Sequence, residues 1–366
     1  MENIKIAVIT PDRDYGRALG LALVDVYKNF TVTLYQSAPV HNELTGYDLI
    51  LNDGAEGIGE RIVGLVEKPS MTDQDYEQKR FLLYKYGNVR QLAAELLFIY
   101  SLLTGRRALP IRNRDVKLVV FCAAEGGMGC TSAAIAFARE LTRFHGKKVL
   151  YISLEEMEST LEYMGAFPEG KSISEYLYYL FQEKERKQIP FIESFLVFDC
   201  YGVDSFLPSP GRNALRSLDS EEMQYFISAV MDTDRYDFLV IDAGSGMDNS
   251  ILSCYEMADN ICMVAESEKC SYKEERFLEY LIFLKGDKIL ERMGKLVNRV
   301  FCGGLKKEED KKNEGQYQEI LRIICRLELD PESFSEEKGV RLIAQDGAYG
   351  RGIKKLAESV LNNVIL

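Results

Sequence analysis

Histidine is scarce in this sequence, and its cysteines do not occur in the pairs that bind metals. The 366 residues include two histidines, His41 and His145, so we do not expect a histidine-based metal site. None of the eight cysteines belongs to a Cys-x-x-Cys pair. Several of them, including Cys122 and Cys262, lie in apolar runs where a free thiol behaves as a small hydrophobic side chain. We therefore expect reduced thiols and a cytoplasmic protein.

Basic residues are outnumbered by acidic ones, and long apolar runs are missing. Lys and Arg total 45 against 57 Asp and Glu, and the net charge of -12 argues against a general affinity for nucleic acid or anionic lipid. No apolar run reaches about eighteen residues and no charged leader precedes one, so the sequence predicts neither membrane spanning nor secretion. The last helical pattern, GIKKLAESVLNNVIL, could lie on a membrane or pack on a sheet. For an α/β domain we favour packing.

The first part of the chain alternates between short apolar runs and amphipathic stretches. The runs are IKIAVIT, FTVTLYQ, YDLILND, ERIVGLVE and RFLLYKYG, followed by the helical pattern NVRQLAAELLFIYSLLTG. This alternation predicts a doubly wound parallel sheet of about a hundred residues, which we place at residues 1–106. The Arg-rich stretch at 107–115 lacks apolar periodicity and is the predicted linker.

A second alternation fills residues 116–366. Its predicted strands are KLVVFCAA, KKVLYIS, FLPSP, YDFLVIDAGSG, ADNICMVAE and KLVNRVFCGG. The fold class is therefore α/β, with two doubly wound parallel-sheet domains, and ligands are expected beyond the carboxyl ends of the strands. We assign no function to the charged stretch 306–316. The tyrosine-rich EYLYYLF near Glu175 is interpreted as helix core rather than as a partner site.

The segment VVFCAAEGGMGCTSAAIAFARELT, at 119–142, resembles a phosphate-binding loop between a strand and a helix. In such a loop, Gly-x-x-x-x-Gly-Lys-Ser/Thr, backbone amides hold the phosphates and the hydroxyl holds Mg2+. Gly129 and Thr131 match the second glycine and the hydroxyl, whereas Ala124 replaces the first glycine and Cys130 the lysine. A glycine-rich turn without a ligand is the competing interpretation. The helix that follows, and the strand that ends in Asp242, favour nucleotide binding.

From Lys117 onward the chain resembles the MinD/ParA family of deviant Walker A ATPases, whose loop reads Lys-Gly-Gly-x-Gly-Lys-Thr. The resemblance puts Glu125 at the signature lysine, which reaches the partner subunit's ATP, and Cys130 at the lysine that contacts the β- and γ-phosphates. It implies that Thr131 and Asp242 bind Mg2+. The implied nucleotide-binding residues are Glu125, Gly126, Gly127, Met128, Gly129, Cys130, Thr131, Ser132, Asn298 and Arg299.

The same resemblance implies two catalytic carboxylates, Glu155 and Asp242. In the family, the strand after the loop helix ends in Asp-x-Asp, and its second carboxylate positions the attacking water. YISLEE puts Ser153 and Glu155 at those two positions. Asn298, in LVNRV, corresponds to the family's adenine-reading asparagine.

Residues 1–106 resemble a response-regulator receiver domain, which has a flavodoxin-type fold. YDLILND puts Asp53 at the phosphoacceptor position, and FLLYKYGNVRQL puts Lys85 at the invariant lysine. Thr10 and Pro11 replace the acidic pair that holds Mg2+ in receivers. Without that cation, phosphoryl transfer to Asp53 should be weak or absent, so we expect a degenerate receiver.

A degenerate receiver joined to a deviant Walker A ATPase is the arrangement of the TadZ/CpaE family of tight-adherence pilus assembly proteins. The resemblance implies ATP and Mg2+ as cofactors, and a homodimer that Mg-ATP stabilises. It also implies a first domain that docks pilus-assembly or polar-localisation proteins, recruiting the chain to the cell pole or to a membrane-bound pilus machine. We expect no nucleic-acid partner and no direct membrane insertion.

The loss of both loop lysines predicts slow hydrolysis. Losing one charged donor costs about 1.5 to 3 kcal/mol, which binding can survive because the backbone amides and the helix start remain. Phosphoryl transfer is more sensitive, because it needs positive charge where negative charge accumulates. We expect Glu125 to turn away from the nucleotide. Among Arg299, Lys269 and Lys273, we favour Arg299 as a compensating cation.

Two other functions remain open. The loss of both lysines is also typical of a protein that has given up nucleotides and serves as a constitutive scaffold. An active, ParA-like partition ATPase is the third reading of the sequence. The acidic balance and the missing basic, aromatic-interleaved surface count against it.

Overall fold

The chain divides into two compact units in a computed structural model. The first unit takes in residues 1–110 and 175–195, and the second takes in residues 111–174 and 196–366. The structure describes residues 3–39, 44–54, 61–67, 81–87, 89–104, 116–165, 170–186, 192–233, 235–299, 321–328, 330–337 and 339–362. The predicted linker at 107–115 and the charged stretch at 306–316 lie outside the described residues. The domain boundaries at 106 and 116 stay predictions.

The first unit contains a sheet of five parallel strands. They are β1 (Ile4–Ile9), β2 (Phe30–Tyr35), β3 (Leu49–Asp53), β4 (Ile62–Val66) and β5 (Phe81–Tyr84). Their order, β2-β1-β3-β4-β5, is that of flavodoxin-type sheets. These strands are apolar because a parallel sheet covered on both faces buries both sides of each strand. The predicted strands and the predicted fold class are confirmed for this unit.

Two helices of the first unit pack on this sheet. Helix α1 (Arg13–Val26) begins after Asp12, whose side chain accepts the Tyr15 amide at 2.9 Å. Helix α2 (Val89–Thr104) contributes Phe98, whose ring lies 5.4 Å from that of Tyr179 and 6.0 Å from that of Phe195. Aromatic side chains from residues 175–195 therefore complete the core of this unit, as the helix-core interpretation of EYLYYLF predicts.

The second unit is built on an eight-stranded sheet and a separate hairpin. The sheet strands are β6 (Lys117–Ala123), β7 (Val149–Ser153), β8 (Leu196–Phe198), β9 (Asp204–Phe206), β10 (Phe238–Asp242), β11 (Asn260–Ala265), β12 (Met293–Asn298) and β13 (Ile323–Leu327). Their order is β13-β12-β11-β6-β10-β7-β9-β8, and every pair is parallel except β8 with β9. The hairpin pairs β14 (Phe334–Glu337) with β15 (Val340–Ile343).

The outer strands differ from the sequence prediction. The predicted strand FLPSP is displaced, because β9 ends at Phe206, and the prolines at 208 and 210 have no amide hydrogen to continue the ladder. Strands β8 and β13 lack the long apolar runs that mark the central strands. A strand at or near the edge of a sheet needs less apolar sequence, since part of its surface faces water.

Helices flank the second sheet. They are α3 (Cys130–His145), α4 (Thr160–Met164), α6 (Ser220–Met231), α7 (Asn249–Met257), α8 (Tyr272–Lys285) and α9 (Ala348–Leu361). Helix α5 (Ile173–Arg186) lies between α4 and α6 in the chain, and from residue 175 onward it belongs to the first unit. The apolar stripe of α9, formed by Ile353, Leu356 and Val360, is fully buried in the core, so the final helix packs as favoured. Across the described ranges, no helix combines the length and apolar character needed to cross a bilayer.

A buried ion pair ties the loop helix α3 to the turn between β8 and β9. Arg139 Nε lies 2.8 Å from Asp199 Oδ2, and both side chains are 1% exposed. Another guanidinium nitrogen of Arg139 donates to the Tyr163 carbonyl at 2.6 Å. Asp199 Oδ1 accepts the amides of Tyr201 and Val203 at 2.9 Å. Both charges are thus hydrogen-bonded as well as paired.

We predict that Asp199→Ala lowers the free energy of unfolding by about 3 to 5 kcal/mol, because it leaves the Arg139 guanidinium buried without its counter-charge. Urea unfolding of the full chain measures the loss. The control is Glu279→Ala, which removes the exposed partner of Arg276 and should cost less than about 1 kcal/mol. Equal losses for the two variants would contradict the prediction.

Candidate functional site

The carboxyl ends of three neighbouring strands meet at one edge of the larger sheet. β10 lies between β6 and β7, and Asp242 stands in register with Phe121 and Ser153. The Leu154 amide donates to the Asp242 carbonyl at 2.7 Å, and the Ala123 amide donates to the Gly244 carbonyl at 2.8 Å. Ligands of open parallel sheets bind at this edge. The segments that follow β6, β7 and β10 therefore form one candidate site.

The glycine-rich loop after β6 leaves open space beside its backbone. Gly127 and Gly129 have φ angles of +83° and +80°, a conformation that favours glycine. A Cβ atom added at Gly126 or Gly127 would meet no heavy atom within 4 Å. Gly129 is also the N-cap of α3 and has no side chain to satisfy the first amides of that helix. A helix start whose N-cap makes no side-chain hydrogen bond, next to an open loop, fits the phosphates of a nucleotide.

Asn298 fixes the middle of this loop. Its side-chain amide donates to the Met128 carbonyl at 2.8 Å, and the Asn298 side chain is buried. Ser132, one turn into α3, places its hydroxyl 3.2 Å from that of Tyr163. The structure thus brings Asn298 to the loop, while its role as adenine reader stays a prediction.

Glu155 connects the loop helix with the segment after β7. The Thr131 hydroxyl donates to Glu155 Oε1 at 3.2 Å. Glu155 Oε2 accepts the Ser159 hydroxyl at 2.6 Å and the Ser159 amide at 3.0 Å. Ser153, the other position of the Asp-x-Asp motif, donates to the same oxygen at 3.3 Å. The carboxylate predicted to be catalytic therefore lies against the hydroxyl predicted to bind Mg2+.

Asp242 is a fully buried carboxyl group beside the same hydroxyl. Its Oδ1 accepts the Gly244 amide at 3.1 Å, and its Oδ2 accepts the Tyr151 hydroxyl at 3.2 Å. Burial raises the pKa of Asp242, while hydrogen bonds from Thr131 and Cys130 act in the opposite direction. A hydroxyl and two carboxylates are oxygen ligands of the kind that Mg2+ prefers, so Thr131, Asp242 and Glu155 fit that ion.

Cys130, at the position of the second family lysine, is buried in the hydrophobic core. Burial raises the pKa of its thiol well above the ordinary value, and the neighbouring Asp242 raises it further. The side chain is therefore neutral and contributes no positive charge to the loop.

Glu125, at the position of the signature lysine, forms an ion pair with Lys273 in the first turn of α8. Arg299, the favoured compensating cation, is engaged elsewhere: its guanidinium lies 3.0 Å from Glu268 and 3.8 Å from Glu328. Of the three candidate cations, Lys273 is thus the one that the structure places on the loop.

Sequence reasoning missed an arginine that bridges the segments after β7 and β10. Arg216 donates to the Leu154 carbonyl at 2.9 Å, lies 3.5 Å from Glu156, and forms an ion pair with Asp248. Its guanidinium is mostly buried, with 12% of the side chain exposed. Arg216 therefore holds together two of the segments that border the open loop.

Asn213 was missed as well. Its side-chain amide donates to the carbonyls of Ser153 and Glu155, at 2.9 and 3.1 Å, and so fixes the backbone that carries the Glu155 carboxylate. Asn213 and Arg216 belong to a Pro- and Gly-rich stretch without apolar periodicity. No signal in the sequence distinguishes them from ordinary loop residues.

A second polar cluster lies at the carboxyl edge of the first unit's sheet. Asp53 Oδ2 accepts the Thr10 hydroxyl at 2.6 Å and the Lys85 ammonium at 2.7 Å. The hydrogen bond to Asp53 raises the pKa of Lys85. The Tyr15 hydroxyl donates to the Lys85 carbonyl at 2.7 Å, and Pro11 is exposed. Thr10, Asp53 and Lys85 thus lie in contact at this edge, while the receiver character of the first unit and the phosphorylation state of Asp53 stay predictions.

Comparison with known proteins gives matches among solved structures. No protein-family model and no curated protein matches the sequence. A ParA family ATPase from Chlorobium tepidum is 18% identical with a TM-score of 0.49, over 67% of this chain and 98% of that one. The septum site-determining protein MinD of Pyrococcus horikoshii, complexed with Mg-ADP, is 16% identical with a TM-score of 0.48, and the match covers 69% of this chain and 99% of that one. A chain of the MinC:MinD cell division complex of Aquifex aeolicus is 17% identical with a TM-score of 0.48, and the match covers 68% of this chain and 96% of that one.

We predict that the Cys130 thiol resists alkylation in the folded protein. Because burial raises its pKa, iodoacetamide at about pH 8 should modify Cys130 on the order of a hundredfold more slowly than the exposed Cys200. Peptide mass spectrometry of timed samples measures both rates, and unfolding in urea should make them similar. Equal rates in the folded protein would show that the lysine position is open to solvent.

We also predict a pH-dependent stability that originates in Glu158. Burial, helped by the nearby Glu155 charge, raises the pKa of Glu158 to about 7, although the Thr160 hydroxyl opposes this. An acid with a raised folded-state pKa stabilises the fold while it is protonated, and this contribution is lost as the pH rises from about 4.5 through 7. Glu158→Gln should therefore match the wild type at pH 4 but exceed it by about 2 kcal/mol at pH 8.

Urea unfolding at the two pH values tests the Glu158 prediction. Glu221→Gln, which neutralises an exposed carboxylate, is the matched control and should show no such difference. A Glu158→Gln variant that follows the wild type at both pH values would exclude Glu158 as the source.

Proposed function

We propose that this chain is a Mg-ATP-binding assembly factor of the MinD/ParA type. The observation that carries the proposal is the open glycine loop at the start of α3, with three oxygen-bearing side chains gathered beside it. Main-chain amides at Gly126 to Ser132 would hold the triphosphate, because their orientation depends on the turn and not on a lysine. Thr131 and Asp242 would hold Mg2+, which when bound offsets the negative charge of the phosphates.

Slow hydrolysis follows from the same residues. Cys130 is neutral and buried, and Glu125 is an acidic residue whose charge Lys273 balances, so neither position supplies a positive charge. Neither position stabilises the charge that develops on a transferring phosphoryl group. Glu155 is the carboxylate that would orient water, and its hydrogen bonds to Thr131 and Ser159 hold it at the site. The bound nucleotide therefore acts as a long-lived structural signal.

For the biological role we propose assembly of a tight-adherence pilus, following the TadZ/CpaE resemblance. The second unit would form a homodimer that Mg-ATP stabilises. The first unit would dock a pilus-assembly or polar-localisation protein and bring the cytoplasmic chain to the cell pole or to the membrane-bound machine. The surroundings of Asp53 support this docking role for the first unit. Its carboxylate already accepts hydrogen bonds from Thr10 and Lys85, so the first unit suits docking better than phosphoryl transfer.

Calorimetry and sedimentation of the full chain test the proposal. We expect Mg-ATP to bind and to shift the protein from monomer to dimer. Thr131→Val keeps the side-chain shape but removes the hydroxyl, and should weaken Mg-ATP binding by about tenfold to a hundredfold. Thr131→Ser restores a hydroxyl and serves as the matched control.

Three outcomes separate this function from its alternatives. Absence of binding heat, with the same oligomer at every nucleotide concentration, would establish a constitutive scaffold. Salt-dependent DNA binding together with rapid ATP turnover would favour a partition ATPase. Binding without a change in oligomeric state would retain the nucleotide site and exclude the nucleotide-dependent dimer.

A further inference from the structure

The loop that faces the proposed phosphate site begins with an acidic residue held by a distant lysine. The Glu125 carboxylate and the Lys273 ammonium form an ion pair, although the two residues are 148 positions apart in the chain. The Lys273 side chain is 64% exposed and that of Glu125 is 35% exposed. The pair is therefore accessible to solvent and to a ligand at the loop.

Lys273 reaches Glu125 because a buried lysine fixes the start of α8. Lys295 on β12 is 4% exposed, and its ammonium lies 2.7 Å from Glu274 Oε2. The same ammonium donates to the carbonyls of Glu268 and Lys269, at 3.3 and 3.1 Å. These three bonds hold the segment between β11 and α8 and the first turn of α8, so the backbone at 273 has a defined position.

Without Lys273, Glu125 would oppose an anion at the loop. Glu125 directly precedes Gly126 and Gly127, where the backbone is open, and its ionised carboxylate repels a triphosphate bound there. Arg299 cannot cancel this charge, since its guanidinium is engaged by Glu268 and Glu328. Cys130 cannot do so either, because its thiol is neutral.

We propose that Lys273 is a positioning residue for nucleotide binding: its ammonium neutralises Glu125 and holds that carboxylate away from the open backbone at Gly126 and Gly127. This inference rests on the proposed function and adds a requirement to it. The replacement of the signature lysine by Glu125 is therefore more than the loss of one cation. An acidic side chain on the loop and a lysine on α8 together make the loop entrance electrically neutral, so that backbone amides suffice to bind a triphosphate.

A double-mutant cycle on the full chain tests this role by calorimetry with Mg-ATP. Lys273→Met keeps the length of the side chain and removes its charge, and should weaken binding by about fivefold to tenfold, because Glu125 is left unpaired. Glu125→Gln should bind at least as tightly as the wild type. The double variant Lys273→Met with Glu125→Gln should recover wild-type affinity.

The matched control is Lys269→Ala, which removes an exposed cation from the adjoining segment and should leave the affinity unchanged within about twofold. The loss in Lys273→Met should shrink as salt is raised, since the pair is exposed and salt screens exposed charges. Thermal unfolding confirms that each variant is folded, and an exposed pair of this kind contributes little to stability.

Each outcome of the cycle is decisive. Wild-type affinity in Lys273→Met overturns the inference and leaves the proposed function standing. A loss that Glu125→Gln does not rescue also overturns it, and indicates that Lys273 contacts the phosphates directly. Failure of the wild-type protein itself to bind Mg-ATP removes the proposed function, and the inference with it.

Discussion

The candidate site depends on the parallel hydrogen bonding of β6, β10 and β7. Because these strands run side by side in the same direction, their carboxyl ends open at one edge of the sheet. The glycine loop, Asp242 and Glu155 follow three different strands, yet they meet there. Bonds between the segments that follow the strands, such as Leu154 to Asp242, extend the register of the sheet into the site. No local motif could assemble these groups without that register.

The loop replaces two lysines in two physically different ways. Cys130 puts an uncharged thiol in place of the ammonium group, and burial among apolar side chains keeps that thiol protonated. Glu125 reverses the charge and is then balanced from outside the loop by Lys273. Both arrangements leave the main chain as the part of the loop able to attract an anion. Such a site suits occupancy more than catalysis, because the backbone amides can hold the phosphates, while neither of these two positions supplies the cation that stabilises the charge of the transition state.

Each of the two units has, at the carboxyl edge of its sheet, a hydrogen bond from a threonine hydroxyl to a carboxylate. In the first unit the pair is Thr10 and Asp53, at 2.6 Å, and in the second it is Thr131 and Glu155, at 3.2 Å. The difference lies in what else reaches the carboxylate. Asp53 also has the Lys85 ammonium, which balances its charge. Glu155 has neutral serine donors and so remains the better oxygen ligand for a cation.

The sequence by itself determined the two parallel sheets and the location of the glycine loop. Local apolar runs predict the central strands, and the positions of the glycines predict the turn from the loop into the helix. The tertiary structure alone decided which charges meet. Because Arg299 is adjacent in sequence to Asn298, the sequence favoured it as the compensating cation. In the structure its guanidinium instead forms ion pairs with Glu268 and Glu328. Lys273 and Arg216 reach the site through the order of strands and the packing of helices. Ion pairs of that kind join residues far apart in the chain, where local periodicity carries no information.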